Sequence, residues 1–122
     1  MATFSKVKLS GSSNGRPIKI ASTTLTAPAT TVHATTTSAT TIDEVWLYAQ
    51  NTSASAVQIS LGWGATTNPD DLIYVTIPAQ SGLTLVVAGL ILIGTGAAAV
   101  NCTAAAATTN VVTLSGYVNR IA

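Results

Sequence analysis

Val57-Gln58-Ile59-Ser60-Leu61-Gly62-Trp63 alternates large apolar residues with polar or small ones at every step. A period of two belongs to a strand, whose side chains point to opposite faces in turn. The run therefore predicts one buried face carrying Val57, Ile59, Leu61 and Trp63. Ile73, Val75 and Ile77 repeat the pattern around Tyr74 and Thr76, and Pro78, with no N–H to give to a ladder, ends it. Between the two runs lies Gly64-Ala-Thr-Thr-Asn-Pro-Asp-Asp71, in which Asn68 and Pro69 start a turn and the two aspartates can accept its amides. The pair reads as an antiparallel hairpin with a long loop.

Working outward, Glu44 to Asn51 is a strand with Val45, Leu47 and Ala49 on one face and Trp46, Tyr48 and Gln50 on the other. Leu83–Val87 and Leu90–Ile93 are continuous apolar runs split by Ala88-Gly89. They predict two strands covered on both faces, as in a sandwich core or a subunit interface. Val112, Leu114, Gly116 and Val118 alternate with Thr113, Ser115, Tyr117 and Asn119 in a last strand, and residues 97–107 read as strand–loop–strand. Six to nine short strands, with turns every 8–12 residues and no fixed repeat, give an all-β fold: an antiparallel β-sandwich, with the jelly roll among its forms. Residues 1–22 differ. They hold Lys6, Lys8, Arg16 and Lys19 around Gly11-Ser-Ser-Asn-Gly15, and are expected as a basic N-terminal arm leading into a sandwich domain over 23–122, the alternative being a solvated basic strand of the sandwich itself.

A chain of 122 residues is one domain's worth, yet only 7% of it is charged, where roughly 25% is usual. Thr, Ser, Ala and Gly supply 61 residues, and the 48 residues from Leu72 to Asn119 carry no charge at all. So long a neutral stretch must be hidden in the fold, solvated by Thr and Ser hydroxyls or covered by other copies; cover is taken as the largest contribution, which predicts an oligomer and not a free monomer. The net charge of +1 gives no general field for nucleic acid or acidic lipid, so neither is expected as a partner. Disorder needs low hydrophobicity and high charge, and this chain has neither. Leu83 to Val100 is uncharged over 18 residues, but its glycines, β-branched residues and missing basic flanks read as strand, not as a membrane helix. Cys102 stands alone, so no intrachain disulfide is expected. The start of the chain has no secretory h-region, so synthesis in a cytoplasm is expected.

The search for catalytic chemistry finds little. Gly11-Ser-Ser-Asn-Gly15 matches the string of a hydrolase nucleophile elbow, but no parallel sheet can precede Ser13 and no helix pattern follows it. A hydrolase would require Ser13, His33 and Asp43 to converge; no enzyme activity is expected. His33, the single histidine, lacks the partners for a zinc site and reads as a loop or interface residue. Asp70 and Asp71 read as turn caps rather than calcium ligands, and no metal or cofactor is expected. The strings Asn51-Thr-Ser53 and Asn101-Cys-Thr103 arise by chance in a chain this rich in Ser and Thr. Trp46 and Tyr48 share a strand face and Trp63 falls nearby. The rings fill a core or an interface, or else form an exposed platform for sugars.

Lys8-Leu-Ser-Gly-Ser12, Gly15-Arg-Pro-Ile-Lys-Ile20, Asp43-Glu-Val-Trp-Leu-Tyr-Ala49, Pro69-Asp-Asp-Leu-Ile73, Gly82-Leu-Thr-Leu-Val-Val87 and Gly116-Tyr-Val-Asn-Arg-Ile121 resemble a group of small virion proteins of tailed bacteriophages. That resemblance implies a capsid decoration, or cement, protein bound outside the major capsid protein shell, commonly as a homotrimer. A head-fibre or tail receptor- or glycan-binding module is the alternative. On this reading Lys6, Lys8, Arg16 and Lys19 make the main electrostatic contact with the capsid or a neighbouring subunit.

Overall fold

The computed structural model describes residues 3–26 and 29–122, so Met1 and Ala2 of the expected arm lie outside the described residues. Nine strands follow in order: β1 (Phe4–Lys8), β2 (Ile18–Lys19), β3 (Thr30–Ala34), β4 (Ile42–Asn51), β5 (Val57–Gly64), β6 (Leu72–Ile77), β7 (Thr84–Ile93), β8 (Asn101–Ala106) and β9 (Val112–Ile121). They form an all-β fold of two antiparallel sheets, consistent with a β-sandwich. In the five-stranded sheet β9 lies between β4 and the successive pair β1 and β2, with β7 outside β4; the other sheet runs β3-β8-β5-β6. The partners nest: β1 and β2 with β9, β3 with β8, β4 with β7, and β5 with β6. That is the pairing of one long hairpin wound back on itself.

The period-two residues set which faces meet. Val57, Ile59 and Leu61 are buried and Trp63 is half-buried, while Gln58 is exposed; Ile77 is buried and Tyr74 and Thr76 are exposed. In β4 the odd-numbered Val45, Leu47 and Ala49 are fully buried, and they join Ile20, Val32, Leu114 and Val118 in one core. Each such Leu, Ile or Val contributes about 1.5–3 kcal/mol by leaving water. A slip of one residue in β4 would reverse this set, so the register is fixed by burial. The loop of the β5–β6 hairpin is closed as its sequence predicts: the Asp71 carboxylate accepts the Thr67 N–H at 3.1 Å.

Three expectations are corrected. Residues 3–22 are not a separate arm: β1 and β2 are laddered to β9, and Leu9, Ile18 and Ile20 are buried in the core. The basic residues alternate with apolar ones, so the segment buries one side of itself without a partner. Ser10 and Gly11 then cross to the other sheet, where the Gly11 N–H donates to the Val32 carbonyl at 3.0 Å and Ser10 Oγ accepts the Ala34 N–H at 2.6 Å. The second correction concerns residues 83–93. Thr84–Ile93 is one ten-residue strand at a sheet edge, and Leu83 just before it, with Leu85, Leu90, Ile91 and Ile93 on it, is exposed in the single chain. Gly89, at φ 80°, lets the strand pass its irregularity without a break. Third, residues 97–100 are loop, and only Asn101–Ala106 is strand; Ala104, Ala105 and Ala106 are small enough to be buried in succession.

The ladder of β1 and β9 continues one residue further. Thr3 and Ala122 exchange both main-chain hydrogen bonds, at 2.7 and 2.9 Å.

Candidate functional site

Chemistry-bearing side chains gather in two places. The first is interior. Asp43 has the buried parity of β4, so its carboxylate is fully enclosed and must be paired. Arg120 of β9 meets it in a two-pronged contact, Nε to Oδ1 at 2.8 Å and Nη2 to Oδ2 at 2.9 Å. His33 Nε2 lies 2.7 Å from Oδ2, and the Ser10 N–H reaches His33 Nδ1 at 3.1 Å. Since Nδ1 accepts, the proton is on Nε2 and is donated to Asp43. Burial pushes the Asp43 carboxyl up, but the hydrogen bonds from Arg120 and His33, together with the Arg120 charge, outweigh it and hold the group below its ordinary value. His33 is thus a buried strand residue rather than one of a loop or interface, because Asp43 and Ser10 satisfy both ring nitrogens.

That arrangement bears on hydrolysis. His33 and Asp43 do converge, but Ser13 is an exposed turn residue whose carbonyl accepts the Arg16 N–H. With both nitrogens engaged and the ring 1% exposed, His33 offers no atom to a nucleophile.

The second place is the outer face of the five-stranded sheet beside β1 and β2. Val7 and Ile18 oppose the buried Val118 and Leu114, so Lys6, Lys8 and Lys19 point the other way, outward. All three are exposed, and so is Arg16 in the loop between the strands. Lys6 Nζ stands 4.7 Å from the centre of the Tyr117 ring, and Tyr117 stacks with Trp46, centroids 6.2 Å apart and planes 12° apart. Lys8 Nζ donates to the Ser12 carbonyl at 2.9 Å. Glu44 Oε1 accepts from Trp46 Nε1 at 2.7 Å and from Asn119 Nδ2 at 3.1 Å, and these bonds hold its carboxyl below the ordinary range. A shallow cavity of about 290 Å³ lies there, lined by Phe4, Ser5, Lys6, Glu44, Asn119 and Ile121. No family of proteins, curated protein or solved structure matches this chain. The face must be read on its own chemistry, which is cationic, aromatic and solvent-facing.

Other residues singled out by the sequence lie elsewhere. Trp63 shares the inward parity of β5 and donates its indole N–H to the Ile91 carbonyl of β7 at 3.2 Å, so it does not join Trp46 and Tyr48 in a platform. Asn51 is fully buried, with Nδ2 donating to Ser55 and Ile77 carbonyls and Oδ1 accepting from Ser53, so it caps the β4–β5 turn. Among the described residues no group of three or more His, Cys, Asp and Glu is placed to hold a metal ion, and no helix is long and apolar enough to cross a membrane. Sequence reading missed the Arg120–Asp43 pair and the place of Tyr117 beside Lys6. The parity of Asp43 in β4 was the available signal for the first.

Proposed function

We propose that this protein is a structural component of a tailed-phage virion that decorates and stabilises the outer capsid surface as an oligomer, a homotrimer in the form the resemblance implies. On this reading the chain is not an enzyme, and it is made in the host cytoplasm. The observation that carries the reading is the grouping of exposed cations. Lys6, Lys8, Arg16 and Lys19 are exposed on β1, β2 and the loop between them, whereas Arg120 is committed to the buried Asp43. Four exposed cations along one sheet edge fit a carboxylate-bearing partner, here the major capsid protein. Each exposed pair gives only ~0–1 kcal/mol, so firm attachment comes from several contacts repeated over an oligomer.

We read the nested strand pairing as a jelly roll, an architecture used by viral capsid proteins and by lectin domains. It supports a virion role, though a fold alone does not specify one. A head-fibre or tail module that binds glycans is the second reading, favoured by the Trp46–Tyr117 pair on the outer face.

Rebinding to undecorated capsids across a salt series tests the proposal. Removing residues 1–16 would take β1 and Leu9 from the core, so the suitable variant is the triple reversal Lys6→Glu, Lys8→Glu, Lys19→Glu. Binding should weaken strongly and lose salt dependence. Unchanged binding with an unchanged salt slope would overturn the contact, and retention on immobilised glycans that Trp46→Ala abolishes would favour the second reading.

A further inference from the structure

Seven large hydrophobic side chains stand exposed among the described residues, and five of them, Leu83, Leu85, Leu90, Ile91 and Ile93, lie on β7 and its lead-in. Leu83 is 62% and Ile91 51% exposed. Among the described residues β7 is the outer strand of its sheet, with β4 on one side and no strand of that sheet on the other. Edge strands are ordinarily guarded by lysines, prolines or short length. This one is ten residues long and holds neither, and no charge falls anywhere from Leu72 to Asn119.

We propose that β7 is the surface through which copies of this chain associate, side chain against side chain. The occupant follows from charge. A partner bearing ions would have to desolvate them against a strand that carries no charge of its own, and whose charged neighbour Glu44, opposite Ile91, is already engaged by Trp46 and Asn119. The partner must therefore be neutral and apolar along the strand, and this chain carries such a surface itself. A continuous main-chain ladder between copies is not the mode. The β4–β7 register shifts twice, between Val45 and Trp46 and between Leu47 and Tyr48, and the Ile91 carbonyl is already taken by Trp63. A kinked edge with a capped carbonyl pairs poorly, whereas its leucines and isoleucines remain free to pack.

Ten residues at ~3.3 Å rise and ~10 Å of sandwich depth give a flat footprint of roughly 330 Å². That is the size of patch that marks an interaction site. It falls short of the ~800 Å² per partner of a standard stable interface. Association in solution is therefore reversible and rises with concentration, and it becomes firm where copies are already held side by side. Self-association through β7 shares with the proposed function only its oligomeric state and needs no capsid.

Sedimentation of the full chain over a concentration series is the first test. The mass should rise from monomer toward a closed oligomer, and ammonium sulfate should strengthen the association. Leu85→Lys and Ile91→Lys should each weaken it roughly tenfold or more, while Phe4→Ser, an exposed ring on β1, should leave it unchanged. A wild-type chain that stays monomeric, or lysine variants that associate like wild type, would overturn the proposal. Should the variants misfold, hydroxyl-radical footprinting of the wild-type chain decides. Leu85, Leu90 and Ile91 should lose reactivity between dilute and concentrated samples while Phe4 keeps its own, and equal reactivity in both would also overturn it. Failure of the capsid reading looks different: chains that associate normally but ignore undecorated capsids sink the capsid contact alone.

Discussion

His33 of β3 and Asp43 of β4 meet 2.7 Å apart inside the protein, so a buried hydrogen bond ties the four-stranded sheet to the five-stranded one. Arg120 holds the same carboxylate from β9, and the Ser10 N–H holds the far side of the imidazole. One buried charge thereby organises four segments.

Asp43→Asn keeps the shape and removes the charge, leaving Arg120 facing a neutral amide and His33 facing a group that cannot accept as well. The expected loss of stability is about 3 kcal/mol, the usual cost of stripping one partner from a buried pair. Urea unfolding followed by tryptophan fluorescence measures it.

Acid should reach the same contact. The folded-state pKa of Asp43 lies below its ordinary value of 3.8, so the stabilisation is fully present above that value and is lost as pH falls through the folded one. Unfolding midpoints taken from pH 7 down to pH 2 should fall on the acid side. In Asp43→Asn that part of the fall should vanish.

Gly116 stands in the middle of β9, opposite Leu47, where a Cβ would come within 1.9 Å of the Trp46 carbonyl oxygen. Gly116→Ala must push β9 from β4, the central pair of the sheet, and should cost more than the 1–3 kcal/mol of ordinary overpacking. Soluble yield and thermal midpoint check this, with Gly15→Ala for comparison, where a Cβ meets no neighbouring atom and only the strain of φ 82° is added.

Cys102 is wholly enclosed, and burial pushes its thiol up to about 12. At pH 8 it should resist a thiol reagent in the native protein and react at once in denaturant. Fast labelling of the native chain would show that β8 opens locally.

The strands that alternate cleanly were legible because the cost of exposing Val45, Leu47, Ile59 or Leu61 fixes their parity without help from elsewhere. Residues 83–93 were not. A continuous apolar run signals cover but not where the cover comes from, and here the chain's own sheets leave the far side of β7 open. The N-terminal segment misled for another reason. Its four cations dominate the composition, whereas Leu9, Ile18 and Ile20, the residues that seat it, are few and separated by a turn. The outer-face cluster depends on register across β1, β9 and β4, which aligns Lys6, Tyr117, Trp46 and Glu44 from distant parts of the chain. No local pattern carries that information.

The pairing of Thr3 with Ala122 has a practical meaning. Because Thr3 and Ala122 already lie side by side in the ladder, a short peptide joining them would turn the molecule into a nearly strainless ring. Such a ring could be reopened at an exposed turn, as between Ser13 and Asn14, and circular permutants cut there should recover the native sandwich. A cargo carried on that joining peptide would emerge from one corner, beside the lysines of β1 and away from the neutral strand on the opposite edge of the sheet.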